Sequence, residues 1–195
     1  MITAYKFLTP QLTSHNDFQW KLGETYTIDK PGNRMCSKQV FHCYNHPLLA
    51  EFVMPMHLSG KDYDLYKIEV PEFINSDGLK FVSKSQKVIE KIERSVITNE
   101  HRIEIAIRVA KLVCVNVEWN AWADKWLTGE DRSEESAASA YYASAVDYAP
   151  YYYAAVYAAV YVYAASAVDY AARYFTDKDE FNKKLIEIIE MVCKK

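Results

Sequence analysis

Four side chains with metal-ligating chemistry, Cys36, His42, Cys43 and His46, fall within eleven residues. That density invites a zinc reading, because thiolates and imidazoles are the ligands zinc prefers. The set lacks the paired spacing of the well-attested zinc fingers. His42 and Cys43 are also adjacent, and on a strand they point to opposite faces. The sequence therefore predicts no metal and no other cofactor. Cys114 and Cys193 sit on apolar helical faces and read as small buried hydrophobes. Trp119, Trp122 and Trp126 are spaced three and four apart, so they share one helix face, either packed in a core or turned toward a partner. His15, His57 and His101 have no partner motif beside them. The chain contains no G-x-S-x-G, no H-E-x-x-H, no phosphate-loop glycine run and no dinucleotide fingerprint. With five glycines in all, a backbone cradle for phosphate is hard to build. These features favour a protein that acts without catalysis, with no catalytic residue to name.

The elements that must position these residues change character along the chain. Residues 1–98 read as a small antiparallel β-rich domain. Ile2 to Leu8 is a strand stopped by Thr9-Pro10, since proline cannot continue a ladder. Phe18–Trp20, Thr25–Ile28 and Val40–Cys43 are further short runs, and Leu65 to Phe73 alternates with period two. Asn75-Ser76-Asp77-Gly78 is a turn signal, 86–93 reads as a strand, and one helix is expected near Pro47–Val53. Residues 99–195 read as a helical bundle domain. Asn99 is expected to cap one helix with apolar positions from Ile103 to Ala121, ending near Leu127 with Gly129 just beyond. Asp131 and Glu134 have capping-box spacing. The last helix starts at Thr176 or Asp177, with Phe181, Leu185, Ile188, Ile189 and Val192 as its stripe. The expectation is an α+β protein ending in about four packed helices.

Composition narrows the setting. The 195 residues are 50% hydrophobic, 14% aromatic and 25% charged, with net charge −3, so disorder is ruled out for most of the chain and no basic excess calls for nucleic acid. Four cysteines do not make a disulfide scaffold, and no signal segment follows Met1, which points to the cytoplasm. Residues 133–172 hold no Lys or Arg, and 10 of the 16 tyrosines lie between Tyr141 and Tyr170. Within this stretch the Ser144–Ala149 hexapeptide returns letter for letter as Ser166–Ala171. Pro150 is expected to break or kink the helix at 148–150. Tyr148 to Val168 carries no charge over 21 residues, but its seven tyrosines and its lack of Leu, Ile and Phe favour a buried helix over a membrane span. Alanine-rich faces permit close helix approach, so a homodimer through the second half is expected, and Ala158→Leu or Ala159→Leu should disturb it. Tyr141, Tyr142, Tyr151 and Tyr152, with Trp119 and Trp126, are the candidate partner-binding residues.

Ala4-Tyr5-Lys6-Phe7-Leu8, Leu12-Thr13, Phe18-Gln19-Trp20 and Gly23-Glu24-Thr25-Tyr26, followed by Phe41-His42 and Pro47-Leu48, carry a family resemblance. The chain resembles an uncharacterised domain family of bacteriophages and bacteria that shows a G-F-H-x-C-x-x-P-L stretch. It departs from that stretch at Val40 for the glycine and Tyr44 for the cysteine, with Cys43 one place earlier. The second half is similar to helical regions of immunity proteins. The resemblance implies an accessory protein of phage or mobile-element type. Together with the missing catalytic signatures and the abundant tyrosine and tryptophan, it leads to a binder that inhibits a host or competitor protein, in anti-defence or toxin neutralisation. The alternative is a nucleotide-binding protein, sponge or enzyme, with a pocket on the β-rich half lined by Lys6, His42 and Tyr44.

Overall fold

The computed structural model describes residues 1–14, 17–32, 34–35, 37, 39–54, 62–144, 168–169 and 171–194. Its class is α+β, in two compact units, Met1–Val96 and Ile97–Lys195. The expected break at 148–150, Tyr151, Tyr152, Ala158, Ala159, Cys36, His15 and His57 lie outside the described residues. Among the described residues, no helix is long and apolar enough to cross a membrane.

In the first unit, β1 (Ile2–Leu8), β4 (Asp64–Val70), β7 (Ser85–Ile92) and β2 (Thr25–Thr27) form an antiparallel sheet in the order β1-β4-β7-β2. β1 and β4 pair over their full lengths, from Ile2 opposite Val70 to Leu8 opposite Asp64. A second sheet, β3-β6-β5, is made of β3 (Phe41–Cys43), β6 (Phe81–Ser83) and β5 (Asn75–Ser76). The Asn75–Gly78 turn signal becomes the β5–β6 connection. There Asp77 Oδ1 accepts from the backbone N–H groups of Leu79 and Lys80 at 2.9 and 2.7 Å, and Gly78 takes a φ of 88° that glycine tolerates without strain. Helix α1 (Pro47–Val53) begins with proline in its first turn, where the missing N–H is harmless.

Period-two alternation gives the four-stranded sheet two apolar faces. Ala4, Leu8, Tyr66, Ile68, Val70 and Val88 meet Trp20, Cys43 and Phe81 in one cluster. Phe7 and Leu65 meet Ala50 of α1 in another, which is why Leu65 is buried although it lies on the same strand face as Lys67 and Glu69. Phe18, Trp20, Tyr26 and Phe41 extend the first cluster through tilted and edge-to-face ring pairs at 4.9–5.5 Å. Glu51 of α1 is buried, and Arg94 Nε and an Arg94 terminal nitrogen each donate to it at 2.9 Å, so the carboxylate is compensated.

The second unit corrects one expectation. The helix foreseen from Asn99 to Leu127 is two helices, α2 (Asn99–Lys111) and α3 (Val117–Thr128). Thr98, not Asn99, caps α2, its hydroxyl accepting from His101 N–H at 3.1 Å. Asn116 caps α3, its side-chain oxygen accepting from Trp119 N–H at 2.8 Å. That cap restarts the helix out of phase, so the buried face becomes Trp119, Trp122, Ala123 and Trp126, while Val117 and Ala121 turn outward. α3 ends at Gly129, with φ 80°, as the spacing required. The Asp131 carboxylate accepts from Ser133, and Ser133 Oγ in turn accepts from Ser136 N–H at 3.2 Å, opening α4 (Glu134–Ser144). Asp177 caps α5 (Lys178–Cys193), whose five-residue stripe is buried as expected. α5 packs on α2, α2 on α3, and α3 on α4.

Asn116→Ala removes the acceptor that starts α3 and should cost about 1 kcal/mol. In a chain of this length that is a fall of about 2–4 °C in the thermal midpoint by calorimetry. An unchanged midpoint would mean that the cap does not define the α2–α3 corner.

Candidate functional site

The most unusual chemistry in the first unit lies between its two sheets. β1 carries Ala4, Lys6 and Leu8 on the face that looks toward Trp20 and Cys43, so the alternation that buries two apolar residues also carries a lysine inward. Paired backbone bonds between Tyr5 and Tyr44, at 2.8 and 2.9 Å, draw the edge of β1 against the end of β3. Lys6 Nζ then donates to the His42 carbonyl at 2.5 Å. Gln86 Nε2, from β7, donates to the same oxygen at 3.4 Å and to Ser83 Oγ at 3.1 Å. Ser83 Oγ donates onward to the Ser85 carbonyl at 3.1 Å. The Lys6 ammonium also lies 5.1 Å from the centre of the Trp20 ring, whose face attracts a cation.

Burial sets the electrostatics here. Lys6 is 8% exposed, and loss of hydration pulls its pKa down to about 8. Among the described residues, no carboxylate acts on it. Desolvation also lowers His42 to about 4, helped by Lys6 and Lys80, so its imidazole is neutral at pH 7. The Cys43 thiol is pushed up to about 12 by burial and donates to the Phe81 carbonyl at 3.6 Å. It is therefore a thiol and not a thiolate, unsuited to nucleophilic attack. A buried amine of this kind has the electronic character of a Schiff-base lysine, yet its head group is enclosed, which makes it a tie between sheets.

Lys6 and His42 are thus neighbours, as a shared ligand pocket requires, but through the His42 backbone carbonyl. Tyr44 is not gathered with them. Its ring packs against Phe7, Ala50 and Leu65 on the opposite side of β1, where burial raises the hydroxyl pKa and Asp77 adds to the shift. Among the described residues, no three His, Cys, Asp or Glu side chains are grouped to hold a metal ion.

In the second unit Trp119 is wholly enclosed and Trp126 is 5% exposed. The Arg132 guanidinium covers Trp126 at 4.4 Å and donates to its carbonyl at 3.0 Å. Both rings are buried within the unit. Of Tyr141 and Tyr142 only the helical backbone is described. Among the described residues of this unit, Leu112, Val115 and Val117 at the α2–α3 corner are 42, 85 and 80% exposed, with Tyr174 and Met191 exposed elsewhere. Sequence reading missed the three corner residues because it carried one helix through them. The available signal was the β-branched run Val113 to Val117 with Asn116 inside it, a residue that favours caps over helix interiors. Gln86 and Ser83 were also missed. Only the alternation that places Gln86 on the face of Val88 marked it as inward.

Two pH responses follow from the interior groups. The folded state holds the Lys6 proton less tightly than the unfolded chain, so stability is lowest below pH 8 and rises toward pH 10.5. Lys6→Met should abolish this rise, a difference of about 3 kcal/mol across that window in denaturant titrations; parallel curves for the two proteins would contradict it. His42 acts at the acid end. Its contribution is complete above pH 6.5 and is lost as pH falls toward 4, because the unfolded chain takes the proton first. His42→Gln should flatten the acid limb of the midpoint-versus-pH curve, and an unaltered limb would assign the loss to other groups.

Residues 2–100 match the family described as Domain of unknown function (DUF7666), a stretch that takes in nearly all of the first unit and the first two residues of α2. No curated protein and no solved structure shows significant similarity to the chain.

Proposed function

From the premise that the chain belongs to the DUF7666 family, we propose that it is an accessory protein of phage or mobile-element type. On this reading it works without catalysis, by occupying a host or competitor protein. The observation that carries the reading is the exposed apolar corner of the helical unit. Leu112, Val115 and Val117 project three aliphatic side chains into solvent from one short turn between two capped helices. Apolar groups held on a rigid corner lose little entropy on docking, which suits them to anchor an interface. The ion pair between Lys111 and Asp124 lies beside the corner and supplies polar groups at its rim. Cys43, Cys114 and Cys193 are free thiols, which agrees with work in a reducing cytoplasm.

The nucleotide reading has weaker support. Its lysine faces inward with its ammonium engaged by a carbonyl, its histidine is neutral at pH 7, and its tyrosine lies on another face.

Native mass spectrometry of the protein recovered from host lysate tests the proposal. The wild type should retain one host protein at fixed stoichiometry. Val115→Ser with Val117→Ser should weaken that complex about thirty-fold, the effect of losing about 2 kcal/mol at an interface anchor. Equal retention by the double variant would remove the corner from the interface. A retained mass of a few hundred daltons would favour the nucleotide reading, and a doubled mass without a second species would favour self-association.

A further inference from the structure

The donors and acceptors between the two sheets do not balance. Lys6 Nζ carries three N–H groups, and one is engaged by the His42 carbonyl. Gln86 is completely enclosed. Both protons of its amide nitrogen have acceptors, in the His42 carbonyl and Ser83 Oγ, while its amide oxygen meets no donor among the described residues. Turning the amide over does not help. The oxygen would then face the His42 carbonyl and the Ser83 hydroxyl, whose proton is directed at the Ser85 carbonyl. Two other polar hydrogens of this interior are committed elsewhere, Trp20 Nε1–H to Ser14 Oγ at 3.0 Å and the Cys43 thiol to the Phe81 carbonyl. A buried amide oxygen left bare is costly, and nearly all such groups in folded proteins find a partner.

We propose that one internal water molecule is a resident ligand of this interior, donating to Gln86 Oε1 and accepting from Lys6 Nζ. Both side chains already donate to one carbonyl oxygen, so their polar heads are neighbours. Water fits the chemistry because the site needs a donor and an acceptor in one small neutral molecule. A simple anion such as chloride has no proton for the amide oxygen, and a cation would be repelled by the ammonium. The water gives the buried ammonium the hydration that the sheets otherwise remove, with hydrogen bonds typical of interior water. This site is independent of the proposed partner surface, which lies in the other unit.

The test is solution NMR on the full chain. Dipolar cross-peaks at the water frequency, opposite in sign in NOE and ROE spectra, should appear on the Gln86 side-chain amide and vanish in Lys6→Met. Assigned Gln86 amide signals without such peaks, or peaks that persist in Lys6→Met, would overturn the proposal. Where Lys6→Met does not fold, oxygen-17 relaxation dispersion serves on Gln86→Met. The number of long-lived internal waters should then fall by one from the wild-type value, and an unchanged number would overturn it equally.

Discussion

A lysine ammonium held between two sheets is the constraint around which the first unit is organised. Lysine is rarely enclosed without a charged partner, because taking a cation out of water is among the larger penalties folding can meet. Here the compensation is distributed over neutral groups. The His42 carbonyl approaches to 2.5 Å, and the Trp20 ring turns a face toward the charge. Each compensating group is itself fixed. Trp20 is anchored by its bond to Ser14, and His42 belongs to a strand paired with β6 and joined to β1 by the Tyr5–Tyr44 bridge. The tie therefore specifies how β3 meets β1 more sharply than apolar contact would.

The same burial explains why the residues with the most chemical promise are not exposed as a reaction centre. Desolvation holds Cys43 as a thiol and His42 as a neutral imidazole, and it lowers the charge preference of Lys6. A shifted pKa often marks a catalytic group, but structural networks perturb titration in the same way. Here Lys6 is enclosed, with the Trp20 ring and the second sheet about it. The helical unit meets a different constraint. Asn116 accepts from the Trp119 amide in the first turn of α3 and obliges the chain to turn, which lifts Leu112, Val115 and Val117 off the core. Capping chemistry thus determines where these three apolar side chains lie.

Local signals in the sequence determined much of the architecture. Alternation in Ile2–Leu8 and Asp64–Val70, the Asp77-Gly78 turn, the Pro47 helix start, the Gly129 stop and the stripe of the terminal helix each depend on neighbours within a few residues. Such signals survive reading one segment at a time. The break between α2 and α3 did not survive it, because apolar spacing continues through Val113 to Val117 and only the Asn116 side chain settles the phase. The tryptophan row could be read as core or as surface until α4 and Arg132 covered it.

The sequence by itself determined that the chain is α+β, with a β-rich part ahead of helices, because backbone propensity and hydrophobic period are properties of short segments. Only the tertiary structure decided which polar residues meet. Lys6, His42 and Gln86 are separated by 36 and 44 residues, and one carbonyl oxygen joins them. It also decided that Tyr44, two residues from His42, packs with Phe7, Ala50 and Leu65 and away from the cluster beside Lys6. The physical reason is that burial and charge depend on strands brought together across the chain, and no local pattern carries the register of β3 against β1.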